Sequence, residues 1–348
     1  MAICSSRDQD LNPPARFLAA LSRQAEALAG QAHAIHGFRI GEASLRVDFC
    51  APGGSQCLKA LPAAQALHAD WRIFAWDGTG PERMPPERPW DDSAHEPLGI
   101  IQSFSDERQR CAYDIHTRSL IAADLVNRRA FMWYPDLGAL PPWAMASPFR
   151  IPISWALAAQ GQQMLHGAAI THKGSAALLC GNGGAGKSTT ALAAALHGFG
   201  YVGDDYVAVD SVSRRVSLIY RTAKLLPATL AMLPRLAPLI CNRDRMDREK
   251  GVLFLDGTQW ELVPSAPLKC LLLPRIAQEG EPRVSPASRA EAIQALLPST
   301  VGGLMGGTSA TAGHMLRLAS SLPALHLHLT PDIGALMVLL RQTLERHS

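Results

Sequence analysis

The sequence predicts an α/β fold in which a phosphate-loop domain follows a β-rich α+β accessory domain, and three observations predict it. Ser175 to Gly198 reads as a short apolar strand, a glycine-rich turn and a helix of strong helix formers. Gly200 to Asp210, directly after that helix, reads as another apolar strand and completes a strand–helix–strand unit. Ahead of both, Phe38 to Tyr134 holds a succession of β-rich pieces with short breaks. At 348 residues the chain exceeds one average domain. Pro141, Pro142 and Pro148 mark the expected boundary between domains 1–146 and 147–348.

Met1 to Asp10 has no basic segment followed by an apolar core, so no secretory signal is expected. Pro13 to His36 reads as one helix, with Phe17, Leu21, Ala25, Leu28, Ala32 and Ile35 near helical spacing and Gly37 after the end. Phe38 to Phe49 alternates in part, and Trp71 to Trp76 runs into the turn dipeptide Asp77-Gly78. Pro81 to Pro97 holds too many prolines to donate to a ladder and reads as a surface loop. Ile100 to Phe104, Arg110 to His116, Ser119 to Leu125 and Arg129 to Tyr134 suggest an antiparallel meander. Trp71, Trp76, Trp90, Trp133 and Trp143 read as core packing in preference to a peptide groove.

In the second half, Ile153 to Met164 reads as a short helix and Met164 to Ile170 as a strand segment carrying His166. Gly181 to Ser188 then fits the pattern G-x-x-x-x-G-K-[ST]. Gly181, Gly183, Gly184 and Gly186, with Asn182 and Ala185 between them, allow successive backbone amides to turn inward around a polyphosphate. The helix opening at Lys187, Ser188 and Thr189 aims its free amides and dipole at the same point. Lys187 can reach the terminal phosphates, and the Ser188 hydroxyl can bind Mg²⁺. Asp204 and Asp205 arrive at a strand end, where open α/β sheets place their ligands, and two carboxylates there can divide metal binding and proton acceptance.

Past Asp210, Ser211 to Val216 reads as a hairpin turn, and Lys224 sits where a second cation can meet phosphate or a peptide carboxylate. Leu226 to Leu239 allows only short helical turns because of Pro227, Pro234 and Pro238, and Asn242 to Lys250 reads as a solvated, charged loop, with a mobile substrate-facing loop as the alternative. Cys270 to Leu273 is expected to be a buried strand and Ser288 to Leu297 a helix. Val301 to Gly307, lacking a lysine and a flanking strand, reads as a flexible connector or lid. Leu325 to Leu329 alternates, which places His326 and His328 on one strand face, expected to be exposed and not metal-binding. Asp332 to Arg346 reads as a terminal amphipathic helix.

Composition excludes several classes. A hydrophobic content of 47% with 18% charged residues is not that of a disordered chain, and a net charge of +3 does not demand nucleic acid. No run approaches the ~20 apolar residues that span a bilayer, so a cytoplasmic protein without a membrane partner is expected. The seven scattered cysteines form no C-x-x-C pair and read as free thiols.

His166-Gly167, the loop from Gly181 to Ser188, and Asp204-Asp205 together resemble the catalytic core of the HPr kinase family, over roughly residues 150 to 230. The resemblance implies a phosphoenolpyruvate-carboxykinase-type fold and ATP- and Mg²⁺-dependent phosphorylation of a serine on a peptide or small protein. It also implies Asp204 as base, Asp205 as Mg²⁺ ligand with Ser188, and His166 as a polar neighbour. In place of the family's second signature, an Arg-Gly-Leu-Gly-Ile-like run, this chain has Arg248 to Phe254, so phosphorolysis is not expected. Tyr220 to Leu225 looks like the divergent members found with peptide biosynthesis clusters, some of which phosphorylate the C-terminal serine of a lasso-peptide precursor. An HPr kinase/phosphorylase regulating sugar transport and a non-catalytic, nucleotide-gated binding module are the alternatives.

Overall fold

The computed structural model describes residues 11–51, 54–65, 68–91, 99–277, 279–301 and 309–347. The expectations for Met1 to Asp10, for 92–97 of the proline-rich loop and for 302–307 of the glycine-rich connector lie outside the described residues. Among the described residues no helix is long and apolar enough to cross a membrane. The architecture is mixed α/β, built on two large mixed sheets.

The chain opens with α1 (Pro13–Ala29), where Asn12 Oδ1 accepts the Ala15 amide at 2.9 Å and prolines fill the first turn. The first sheet comprises β1 (Ala34–Ile40), β2 (Ala43–Phe49), β3 (Trp71–Asp77), β4 (Gln109–Asp114), β5 (Ser119–Asp124) and β6 (Arg129–Tyr134). Their order is β1-β2-β3-β6-β5-β4, with β4, β5 and β6 forming the antiparallel meander. Phe17, Leu21 and Ala25 of α1 cover one face through Phe74, Trp76 and Phe131. Short helices α2 (Ser55–Ala60) and α3 (Pro142–Met145) precede α4 (Arg150–Ala158). On the other face Phe38, Leu45, Ile73 and Ile121 share one core with Ile153 and Leu157 of α4 and with Tyr206, Ala208 and Tyr220 beyond it.

The second sheet takes β7 (Gln163–Leu165), β8 (Ala168–His172), β9 (Ser175–Leu179), β10 (Gly200–Gly203), β11 (Val207–Asp210), β12 (Arg215–Leu218), β15 (Ser265–Ile276), β16 (Arg283–Pro286) and β17 (Ala324–Leu329). Its path is β10-β8-β9-β15-β12-β11-β7, and β17 pairs with both β15 and β16. A two-stranded ribbon of β13 (Thr222–Leu225) and β14 (Gly251–Phe254) stands beside it, with α6 (Pro227–Met232) between them in sequence. Helices α5 (Lys187–Leu196) and α9 (Ile333–Arg346) bury Leu192, Leu336 and Leu340 against Ile170, Leu179 and Leu272 on one face. On the other, α7 (Arg289–Val301) and α8 (Ser309–Ser321) bury Leu296, Met315 and Leu318 against Leu178 and Leu271. Being covered on both sides, β9 is buried throughout and shows no alternation.

Several boundaries differ from the sequence reading. The first helix stops at Ala29 beside Gly30, and 34–40 pairs with β2 instead of continuing to His36. Ile100 to Phe104 makes isolated bridges, among them Ile100 with Ala112, and then a 3-10 turn. The helix before His166 begins at Arg150 and ends at Ala158, and Met164 belongs to β7, because Gly161 turns the chain at a φ of 74°. His326 is buried, 6% exposed, with Nε2 3.0 Å from Glu291 Oε1, so that strand face is covered by α7. Most important, Met164 to Ile170 and Gly200 to Asp210 are each two strands. The first breaks at His166-Gly167 and the second at Asp204 to Tyr206.

Those breaks position the site. β8 runs antiparallel to both β9 and β10, with Ala168 opposite Leu179 and Ala169 opposite Gly203. The start of β8 and the ends of β9 and β10 therefore share one rim of the sheet. His166 precedes the first, the glycine loop follows the second, and Asp204-Asp205 follows the third. The strand delivering the aspartates is not bonded to β9, since β8 lies between them.

Candidate active site

The loop from Gly181 to Gly186 connects β9 to α5. Gly186 caps the helix at a φ of 100°, and a Cβ there would come within 2.4 Å of Leu329 Cδ1, so both conformation and space require glycine. Gly183, Gly184, Gly186, Lys187, Ser188 and Thr189 line a cavity of about 210 Å³. Gly181, Asn182 and Ala185 lie in the loop but off its wall. Lys187 is only 6% exposed; its Nζ donates to the carbonyls of Gly181 at 2.6 Å and Asn182 at 3.0 Å. Burial holds its pKa below the ordinary lysine range, with Asp204 opposing that shift. The Thr189 hydroxyl turns to Thr229 of α6 at 2.7 Å.

His166, Asp204, Asp205 and Lys224 line the same cavity, so the structure brings the predicted residues together. Gly167 lets β8 start close to β9, since a Cβ there would lie 2.9 Å from the Leu179 carbonyl oxygen. Asp205 adopts a φ of 69°, which turns the chain out of β10 toward β11. Its Oδ2 accepts Lys224 Nζ at 2.8 Å, and its Oδ1 lies 3.3 Å from His166 Nδ1. Asp204 is 2% exposed; one oxygen accepts the Lys224 amide at 3.3 Å, while Oδ1 is buried without a hydrogen-bond partner.

The environments drive the two carboxyls apart. Burial, then the neighbouring Asp205 charge, pushes Asp204 up to about 6 despite the Ser188 hydroxyl and two backbone amides. Burial acts on Asp205 in the same direction, but the Lys224 ammonium and His166 outweigh it and hold Asp205 at about 2. His166 is shifted down, chiefly by burial, with Asp205 working the other way.

Two groups of site residues escaped the sequence reading. Lys250 lines the cavity, although its stretch reads as a solvated charge run. Buried Asn242 fixes that turn: its Nδ2 donates to Glu249 Oε1 and to the Lys250 carbonyl, each at 3.0 Å, and its Oδ1 accepts the Val252 amide at 2.8 Å. An asparagine ahead of a Lys-Gly pair that opens a strand was the available signal. The other group is an apolar rim, where Leu226, Met232 and Ile276 remain 48%, 45% and 70% exposed at the cavity wall. Their separation in sequence hides the convergence.

Chemically, the cavity combines a backbone amide cradle, three lysines, one carboxylate held ionised and one with raised proton affinity. Ser188 and Asp205 supply hard oxygen donors suited to Mg²⁺, which uses one or two protein oxygens and completes its shell with water and phosphate. Among the described residues no group of three or more His, Cys, Asp or Glu surrounds a metal position.

No family model matches the chain, and no curated protein does. Among solved structures, the chain is similar to the Hpr(Ser) kinase/phosphatase from Coxiella burnetii over 53% of its own length and 95% of that chain, with 11% identity and a TM-score of 0.27.

Proposed function

We propose that the protein is an ATP-dependent serine kinase acting in the cytoplasm on a peptide or small protein. The observation that carries this reading is Asp204 Oδ1, a buried carboxylate oxygen without a partner on the wall of a cavity that also presents the glycine loop and Lys187. A buried unpaired acceptor is costly, and a hydroxyl proton donor placed there satisfies it.

In the proposed reaction the acceptor hydroxyl attacks the γ-phosphorus. The new O–P bond forms as the bond to the β–γ bridging oxygen breaks, ADP leaves with that electron pair, and the hydroxyl proton passes to Asp204. The loop amides with Lys187, Lys224 and Lys250 stabilise charge spreading over the phosphoryl oxygens. Mg²⁺, held by Ser188 and Asp205, would supply further charge neutralisation. His166 orients Asp205 through the 3.3 Å contact. The acceptor we favour is the C-terminal serine of a lasso-peptide precursor, without reverse phosphorolysis.

Incubation with ATP, Mg²⁺ and the small open reading frames encoded nearby should add phosphate to one of them by mass spectrometry. Asp204→Asn should lower that transfer by about 10²–10⁴ and leave ATP affinity within about threefold. Turnover by this variant close to the parent's would remove Asp204 as the base. Stabilisation by nucleotide without transfer to any candidate would leave the nucleotide-gated binding module, and pyrophosphate formation from phosphorylated product and phosphate would favour a kinase/phosphorylase.

A further inference from the structure

Asp205, whose carboxylate stands with Ser188 as an oxygen donor suited to Mg²⁺, is engaged at both of its oxygens. Oδ2 accepts Lys224 Nζ at 2.8 Å, and Oδ1 lies 3.3 Å from His166 Nδ1. The side chains of Lys224 and Asp205 are both largely buried, so their attraction is only weakly screened by solvent.

The backbone of Lys224 is fixed while its head is not. Residue 224 pairs with Val252 across the β13–β14 ribbon, and its amide donates to Asp204 at 3.3 Å. The ammonium ends a flexible four-carbon stem and carries three donors, of which Asp205 Oδ2 and Ser147 Oγ, at 3.0 Å, take two. The same side chain lines the cavity of the glycine loop, Lys187 and Ser188. An ammonium and a divalent ion on one carboxylate repel each other, and more strongly in a half-enclosed site than in open water. A metal on Oδ1 does not escape this, because it would share the carboxylate with the ammonium on Oδ2. The metal and Lys224 are therefore rivals for Asp205. A triphosphate alters the balance, since its oxygens offer the ammonium another anionic partner within the same cavity.

Resting on the phosphoryl-transfer reading above, we infer that Lys224 is a positioning residue that guards the metal ligand. It holds Asp205 against a divalent ion arriving ahead of the nucleotide, and it releases the carboxylate when triphosphate oxygens take up its ammonium. The metal then enters with the nucleotide and not alone. One lysine thus serves two successive partners, first Asp205 and then the phosphoryl oxygens.

Metal binding reads this directly, by electron paramagnetic resonance of Mn²⁺ with the full chain and no nucleotide. Lys224→Met, close to lysine in shape but without its charge, should bind Mn²⁺ at least tenfold more tightly than the parent. Lys224→Gln, which keeps a donor toward Ser147, should gain at least fivefold and serves if the methionine variant does not fold. Lys224→Arg, which returns a cation to Asp205, should stay within threefold of the parent. In an Asp205→Asn background the loss of the lysine should gain less than twofold, because the rivalry is over that carboxylate. With a saturating non-hydrolysable ATP analogue the advantage of Lys224→Met over the parent should shrink below threefold; an advantage that stays tenfold overturns the exchange onto phosphate. A purely structural ion pair predicts a lower Tm for Lys224→Met with unchanged Mn²⁺ affinity, and that result overturns the assignment, as does an equal gain with or without Asp205. The expected Mn²⁺ pattern in a protein that phosphorylates no acceptor would sink the kinase reading and leave this inference standing, and phosphate transfer with unchanged Mn²⁺ affinity in Lys224→Met would do the reverse.

Discussion

Asp204 and Asp205 are chemically identical neighbours, yet the fold gives one an ammonium at 2.8 Å and leaves an oxygen of the other unpaired. A base with a pKa of about 6 is unprotonated at neutral pH yet basic enough to take a proton. Transfer measured at saturating substrate should therefore rise with pH through about 6 and level off above it; a flat profile between pH 5 and 8 would contradict the assignment. Stability runs the other way. The folded pKa lies above the unfolded value of 3.8, so the carboxyl's contribution declines as pH rises from about 4 through 6. Asp204→Asn should raise the Tm at pH 8 by a few degrees, roughly 2 kcal/mol, with the gain vanishing near pH 4. Thermal melts of both proteins at the two pH values read this directly. At this scale the sequence was most informative, because Gly181 to Ser188, His166 and Asp204-Asp205 are short patterns whose residue types state their chemistry. The pairing of Asp205 with Lys224 was not legible, since 19 residues and a strand crossover separate them.

Among the elements, the turn before β14 connects stability to ligand affinity. Lys250→Ala should weaken ATP binding about tenfold with little change in Tm, because it removes one cation from the cavity wall. Asn242→Ala should weaken ATP binding and also cost about 2 kcal/mol of stability, because it leaves buried backbone groups unpaired. Equilibrium binding and melting of the two variants separate these effects; equal Tm values would show that Asn242 is not the clamp. Met232→Asp at the apolar rim should weaken nucleotide binding severalfold, as expected if a base rests on Leu226, Met232 and Ile276. Helix and strand types were largely legible from period and composition, as in α1, β9, α5 and α9. What failed were the interruptions. Met164 to Ile170 and Gly200 to Asp210 look continuous by composition, and only the backbone shows that each breaks at its candidate site residues. Lys250 and the rim residues were missed because tertiary contacts, not local pattern, assemble them.

For the whole molecule, one hydrophobic core crosses from the first sheet to the second. Phe38, Leu45, Trp71 and Ile121 share it with Phe149, Ile153, Tyr206 and Tyr220, and Tyr220 and Thr222 donate to the carbonyls of Pro148 and Ala146 at 2.9 and 2.7 Å. A fragment of residues 147–348 should lack cooperative unfolding and bind the dye ANS, since it would expose that face; a sharp two-state melt of the fragment would show the core to be divisible. Beside that core, β8 touches both strands that carry the site, and its two ladders fix where His166, the glycine loop and the aspartates stand relative to one another. The smallest slip of β8 that keeps its side chains on their own faces is two residues, ~7 Å along the strand. That displacement is twice the reach of the His166–Asp205 contact, so an insertion or deletion within β8 itself would dismantle the constellation even where every one of its members survived.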